Sequence, residues 1–581
     1  MGSESRFVYN PSTVDIGRSK FLMNSFWKGD IYHGDLVPLE ITPVMPGDSA
    51  KYDISLFIRT ATPPIFPIMD SIKLYVRAFY VPTRLVWAKE KEFLGENTEG
   101  YGIQTEVLAP RTTNDSTTVW SGYAAGAYKR SIATYLGLVR QKQTLASGKA
   151  SPISLNPIRS FLQVYNDWFR NENFMAPYLW DHNQTGDAVR VLASRGGINV
   201  LGYSDLPKVC KNLDRYTSCL PWAQKGAPVP VPVLGEAPVV AANEGHFMKN
   251  DLVFGYKSSG ATNPTYPATD LWGASSTHSS AYMIGTQQDG HFTYLMTPNS
   301  VAEGNGITPT DTIQYSNLIA DLSHATGASV NQLRLAFATQ KYLEQLARSG
   351  SKYREYIRAM FGVTIGDTTA QMAEYLGGMC VELNVDQVLQ TTDYAAGSTT
   401  KLGAPGAVST SAASDYLFTK SFDEPGYIVV VAYTKHNRTY GQGIDEMYQK
   451  HEVLEDYNPK FANIGEQAIK KSNIYFTGDV DDDDTRLGFQ ESWSEYRFKK
   501  DVVVAGLAPS NSAAFNFTNL AENFATAPVL NADFLTEDRT NIARCLSGGE
   551  ASADYFLDVK FNRTFIRPMP LYSVPGLIDH H

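Results

Sequence analysis

Cysteine is scarce in this chain. Four residues in 581, Cys210, Cys219, Cys380 and Cys545, form no CxxC pair and have no zinc-site spacing. That excludes a disulfide-stapled scaffold and predicts reduced, mostly packed thiols. No apolar run approaches the roughly 18 residues needed to cross a bilayer, so no membrane insertion is expected. The opening MGSESRFVYNPSTVD has no apolar stretch, and no secretory leader is expected. GxxxxGK[ST] and HExxH motifs are absent. Gly441-Gln-Gly443 lacks the third glycine of a dinucleotide loop, because Glu446 stands there. No nucleophile lies at a recognisable spacing from a base. These absences predict no catalytic residue, no metal and no cofactor. Basic charge is also short: the net charge is −10, whereas a chain that neutralised nucleic acid unaided would be basic. Any such contact must be local, or be helped by another protein.

What is present points to β structure. Aromatics make up 12% of the chain, and 30 Pro and 45 Gly supply many turns. The stretch Thr42 to Trp87 sets the pattern. Lys51 to Arg59 alternates, with Ile54, Leu56 and Ile58 on one face, and Ile72 to Val81 alternates again through Leu74, Val76, Ala78 and Tyr80. Between these predicted strands lies a connection stiffened by Pro63, Pro64 and Pro67, which lack ladder donors. It also carries Ile65, Phe66, Ile68 and Met69. Pro63, Ile65, Phe66, Pro67, Ile68 and Met69 form an apolar loop that would be costly to leave wet, so we expect it at a contact with another subunit.

Further along, Arg84 to Leu94 predicts a short helix ended by Gly95. Ser154 to Asn173 predicts a second, capped by Asn156 with Pro157 in its first turn. Ile158, Phe161, Leu162, Tyr165, Trp168 and Phe169 give it a core-facing stripe. Ser329 to Phe361 predicts two helices broken at Gly350. Ala395 to Ser414 has the Gly/Ala/Ser/Thr composition of a linker wrapping between subunits. Gly426 to Tyr433 is a continuous apolar run, as in a strand buried on both faces, and Tyr555 to Phe561 predicts a last strand. Asp479 to Asp484 (DVDDDD) begins like a calcium loop, but Asp484 replaces the glycine and Gln490 the bidentate glutamate. It therefore predicts a solvated loop.

Composition shifts at Gly226. From there to Ala328 there is no arginine, and Lys249 and Lys257 face eight acids, giving −6 of the chain's −10. Turn-rich sequence of this length suits an inserted lobe rather than a loop. The expected organisation is residues 1–225 as an N-terminal arm and the first part of the main domain, 226–328 as the lobe, and 329–581 as the remainder.

Several blocks occur in a fixed order. They include Asp35 to Pro38 (DLVP), Pro46 to Asp48 (PGD), Thr60 to Pro63 (TATP), Pro67 to Asp70 (PIMD) and Tyr80 to Trp87 (YVPTRLVW). Asp214 to Gly226, Asn331 to Phe337, Tyr353 to Arg358, Asp456 to Gly465 and Gly488 to Lys499 follow. Together they resemble the coat proteins of small single-stranded DNA bacteriophages, the Microviridae, of gokushovirus type. The resemblance implies an eight-stranded antiparallel jelly roll with long insertions and a few helices, and self-assembly into a T=1 icosahedral shell. It implies circular single-stranded DNA on the inner surface, a small basic packaging protein, a DNA pilot protein and a host cell-surface receptor as partners. Particles would assemble in the host bacterial cytoplasm.

On that footing the candidate DNA-facing residues are Arg6, Arg18, Lys20, Trp27 and Lys28, where cations meet phosphate and rings stack on bases. The candidate host-recognition residues are the lobe's Tyr256, Tyr266, Trp272, Tyr282, Phe292 and Tyr294, rigid rings that give contact area at low entropy cost. The other class open to a β-sandwich, an enzyme or carbohydrate-binding protein, differs in size in solution: a shell sediments as a large assembly.

Overall fold

The computed structural model describes residues 17–96, 130, 132–137, 154–180, 206–230, 329–389, 391, 403, 405–508 and 515–572. It also describes the backbone of short strands at 107–108, 123–124, 127–128, 153–154, 239–241, 253–258, 284–288, 291–296 and 318–320. The chain divides into two units, Met1–Gly226 with Leu343–His581, and Ala227–Tyr342.

The larger unit is built on antiparallel strands. In chain order they are β1 (Ser19–Leu22), β2 (Ser25–Ile31), β3 (Val37–Val44), β4 (Ser49–Thr60) and β5 (Ile72–Pro82). After a long excursion come β6 (Glu374–Leu383), β7 (Val385–Leu389), β8 (Pro405–Ser421), β9 (Gly426–His436) and, near the end, β10 (Tyr555–Arg567). One sheet runs β1-β10-β4-β8-β7, with β2 also paired to β10. The other runs β6-β5-β9-β3.

Side-chain period explains why two sheets form. Along β4 the residues Ala50, Tyr52, Ile54, Leu56 and Ile58 are buried, and their alternates Lys51, Asp53, Ser55, Phe57 and Arg59 are not. β10 repeats this with Tyr555, Leu557, Val559, Phe561 and Phe565 inward. These faces meet Leu74, Val76 and Ala78 of β5 and the β9 run in one core. β9 is buried on both faces, with Val429, Val430 and Val431 fully enclosed. Its second face, and that of β5, is covered by the helix α1 (Asn156–Val164), which ends in a wider π turn at Tyr165–Phe169. Trp168 and Phe169 lie 5.6 and 6.0 Å from the Phe79 ring.

Two expectations are corrected. The Arg84 to Leu94 helix is two short turns, Thr83–Val86 and Glu90–Phe93. Trp87 between them is extended, and its ring is buried in the core, so tertiary burial overrides helix propensity. The linker of 395–414 is, from Pro405 onward, part of the long strand β8, held by pairing to β4 and β7. Its small side chains Ala407, Ser409 and Ser411 are buried there, so a composition typical of linkers serves a crowded strand face. The broken helix pair is present, as Val330–Arg348 and Tyr353–Phe361, with Gly350 at φ +89° between them.

Between β9 and β10 the chain is mostly irregular, with short helical turns and one two-stranded ribbon, Glu466–Lys470 with Arg486–Glu491. Its Tyr440, Ile469, Leu487 and Phe534 form a small second core with Tyr216 and Cys219 of the 206–230 stretch. In the smaller unit Val253–Ser258, His291–Met296 and Ile284–Gln288 form a three-stranded antiparallel sheet, and Val239–Ala241 pairs with Leu318–Ala320.

Ile54 lies at the centre of the shared core with no exposed surface. Ile54→Ala should lower stability by about 2–5 kcal/mol, read as a drop in the urea midpoint of unassembled protein. A change below about 0.5 kcal/mol, the range of ordinary surface positions, would show that the two sheets do not share this core.

Candidate functional site

The apolar loop between β4 and β5 is partly covered by its own chain. Ile65 N–H donates to Cys545 O and Met69 N–H to Thr518 O, both at 2.9 Å, and Ser547 N–H donates to Pro63 O at 3.0 Å. The Phe66 ring meets Phe517 edge-on at 6.1 Å. Pro64 and Ile68 are buried, and Phe66 and Pro67 half-buried. Pro63 is exposed, and Ile65 and Met69 remain 43% and 70% exposed. The backbone is therefore fixed while two large apolar side chains stay at the surface. The irregular region adds more: Val453 is 90% exposed, and Leu454, Val480, Phe498 and Val504 are also uncovered. Large apolar side chains held exposed on a fixed backbone are what an interaction surface requires.

Of the candidate DNA-facing residues, Arg6 lies outside the described residues. Arg18 and Lys20 are exposed at the start of the first sheet. Lys28, on β2, is exposed and pairs with Asp558 at 3.2 Å. Its neighbour Trp27 projects to the other side and packs against the core. A strand's period of two forbids both from facing one ligand. Phe26, cross-strand from Lys560, is the exposed ring on that strand. Of the lobe aromatics, Tyr256, Phe292 and Tyr294 lie on paired strands. Tyr266, Trp272 and Tyr282 lie outside the described residues.

The Asp479 to Asp484 loop is a capped turn. Asp479 accepts from Asp481 N–H at 3.1 Å, and Asp483 accepts from Thr477 and Gly478 N–H at 2.9 and 2.8 Å. Asp484 pairs with Lys470 at 2.7 Å. The four cysteines are free thiols, with Cys380 the exposed one. Burial pushes Cys219 and Cys545 up to about 12.

The densest chemistry in the larger unit was not visible in the sequence. His33, His436 and Glu537 are buried side by side, with Arg438, Glu522 and Lys211 around them. His33 Nε2 and His436 Nδ1 lie 2.8 and 2.9 Å from the same oxygen, Glu537 Oε1. Three such groups can hold a metal ion, but Arg438 decides the protonation. Its Nη1 sits 3.0 Å from His436 Nε2 and can only donate, so Nε2 accepts and the ring proton is on Nδ1, aimed at Glu537. The Thr434 and Tyr555 hydroxyls lie 3.0 and 3.2 Å from His33 Nδ1, and His33 Nε2 also lies 2.9 Å from His436 Nδ1.

Burial and then the Arg438 charge push His33 down to about 3, and the same causes push His436 well below its ordinary value. Both rings are neutral. Burial would raise Glu522, but Arg438 and Lys211 outweigh it and hold it at about 2. Arg438 bridges Glu522 at 2.5 Å and also pairs with Glu537, and Lys211 meets Glu522 at 3.1 Å. Two cations and two carboxylates balance inside the protein. His33 and His436 are 403 residues apart, so no spacing rule finds them. The one sequence signal is a His436-Asn-Arg438 run directly after an apolar strand.

Two sandwiched antiparallel sheets with apolar side chains held at the surface suit a structural shell protein. The chain belongs to the capsid protein (F protein) family, whose model matches residues 10–577. It is 31% identical over 554 residues to capsid protein VP1 of Spiroplasma virus 4, covering 94% of this chain and 92% of that protein. It is 30% identical over 595 residues to capsid protein VP1 of Bdellovibrio phage phiMH2K, covering 99% and 98%. Capsid protein VP1 of Chlamydia phage 1 is 28% identical over 609 residues, with the same coverage. Its function is that of a major capsid protein, a component of the virion that self-assembles into a shell.

Removing one member of a buried ion set leaves the others uncompensated, at about 3–5 kcal/mol. Glu537→Gln should lower the urea midpoint accordingly, and an unchanged midpoint would show that the knot is not holding the fold. Protonation gives a second check. Because the folded His33 takes its proton only near pH 3, below its ordinary 6.5, the unfolded chain binds the extra proton between these values. Stability should therefore fall as pH drops from 6.5 towards 3, and less steeply in His33→Gln.

Proposed function

We propose that this capsid protein builds a T=1 icosahedral shell around circular single-stranded DNA, with one coat subunit per asymmetric unit. The strand order supports a jelly roll as its wedge. Taking β2, β3, β4, β5, β6, β8, β9 and β10 as the eight strands, one sheet holds the first, eighth, third and sixth, and the other the second, seventh, fourth and fifth. That is the arrangement two interlocked Greek keys produce. The observation carrying the shell is the apolar surface left uncovered on one chain. Pro63, Ile65, Phe66, Pro67, Ile68 and Met69, with the exposed side chains of 453–504, are the proposed subunit contacts. Assembly takes place in the host bacterial cytoplasm.

The acidic balance of the chain motivates a small basic packaging protein beside the genome, with a DNA pilot protein as a further partner. Arg6, Arg18, Lys20 and Lys28 are the proposed cations of the genome-facing arm. The lobe of 226–328 points outward and attaches to a host surface receptor. It interrupts two capsid blocks, its charge of −6 keeps it from the genome, and Tyr256, Tyr266, Trp272, Tyr282, Phe292 and Tyr294 offer contact area. Shortening the chain between Gly235 and Gly327 should leave particles that sediment as shells but no longer adsorb to cells. Loss of assembly, or unchanged adsorption, would remove the receptor role.

A further inference from the structure

The open face of the first sheet sets exposed rings beside cations. Strand period and register place Phe26, Lys28 and Asp30 of β2 beside Lys560, Asp558 and Phe556 of β10. Those in turn lie beside Ser55, Phe57 and Arg59 of β4. Lys51 and Asp53 of β4 continue the face, with Tyr416 of β8 opposite Asp53 and Lys20 at the outer edge opposite Ile566. The four rings stay open to solvent, with Phe57 and Phe556 each 42% exposed. Three of them have a cation alongside. Arg59 lies 5.5 Å from the Phe556 ring, Lys560 5.8 Å from Phe26 and Lys51 5.9 Å from Tyr416.

The face carries five cations, Lys20, Lys28, Lys51, Arg59 and Lys560, against the three carboxylates Asp30, Asp53 and Asp558. Lys28 and Lys51 are paired with Asp558 and Asp53. Lys20, Arg59 and Lys560 make no ion pair among the described residues. In a chain of net charge −10, this is a locally cationic surface. At its centre Lys28, Asp30, Phe57, Arg59, Phe556 and Asp558 line a shallow cleft of about 640 Å³.

We propose that this sheet face is a binding platform for single-stranded nucleic acid, with bases stacking on Phe57 and Phe556 and phosphates meeting Arg59, Lys560 and Lys28. Charge complementarity selects this occupant. A protein partner would cover the rings but has no need of a net excess of two cations, and a duplex keeps its bases stacked on each other. Rings on an open sheet with cations between them are the physical requirement for gripping unpaired bases without reading sequence. The inference rests on the genome-enclosing reading above, and places the contact on the body of the sheet.

Fluorescence anisotropy of unassembled capsid protein with a labelled oligo-dT, at low salt, tests it. Single strands should bind and a duplex of equal length should bind several-fold more weakly. The double variant Phe57→Leu/Phe556→Leu, which keeps apolar bulk, should lose roughly tenfold or more in affinity. Arg59→Gln with Lys560→Gln should reduce the slope of log affinity against log salt by about 1.4, at about 0.7 per cation. Equal affinity for duplex, or unchanged affinity in the leucine variant, overturns the platform. Ultraviolet cross-linking of DNA in intact particles gives an independent readout, with adducts expected on the β4 and β10 peptides and adducts confined to other peptides counting against it. Sedimentation of the same variants separates this idea from the shell: particles that form while binding is unaltered sink the platform alone, whereas a wild-type protein that never forms particles sinks the shell.

Discussion

The buried charge knot around Arg438 is the constraint on which the rest of the protein depends. Arg438 stands two residues beyond the end of β9 and pairs with Glu522 and Glu537 from the long irregular segment. His33, just after β2, is held by Glu537 and by Asp554, whose carboxylate accepts the His33 N–H at 2.9 Å. Asp554 in turn pairs with Arg539 at 2.9 Å and immediately precedes β10. Four stretches distant in sequence are tied at one point. An apolar contact could slide or repack by an ångström, but charges in a dry interior cannot exchange partners without exposing one another. The knot therefore fixes where the irregular segment meets the sheets.

That fixing matters because the irregular segment has little else to order it. Among the described residues between β9 and β10 there is one short ribbon and a set of short helical turns. Chain of this kind forms few repeating backbone bonds, so its conformation must come from side-chain to backbone contacts and from anchorage. The structure has both: caps such as Asp445, Asn458, Asp479 and Asn531 close individual turns, and the knot anchors the segment. The benefit of an irregular path is surface. It presents Val453, Val480 and Val504 at the surface, the first two as the opening residues of short helical turns.

Sequence revealed what periodicity carries and missed what distance hides. The alternation of β4 and β5, the doubly buried β9 and the broken helix pair were legible because neighbouring residues share one local geometry. Trp87 and the 405–414 strand were misjudged for the opposite reason. There, tertiary partners decide the conformation: a core cavity for the indole in one case, and pairing to β4 in the other. The apolar loop was legible as an oddity, though not the fact that Cys545, Thr518 and Ser547 would pin its backbone. His33, His436 and Glu537 gave no local signal, since each is an ordinary residue in its own stretch. Trp27 and Lys28 show a smaller failure. Grouping them by adjacency ignored the pleat, which sends neighbours to opposite faces.

The pleat gives the first sheet two unlike faces from one set of strands. On β4, Tyr52, Ile54, Leu56 and Ile58 face the core, and the residues between them, Lys51, Asp53, Ser55, Phe57 and Arg59, face out. A slip of one residue in the pairing of β4 with β10 would bury Arg59 and expose Ile58, so the core enforces the register. The same register sets Phe556 opposite Arg59 and Asp558 opposite Phe57 on the outer face. The spacing of rings and charges outside is thus fixed by the packing inside. Substitutions on the outer face can therefore vary what it grips without disturbing the fold, whereas any change that shifts the core register dismantles the outer pattern as well.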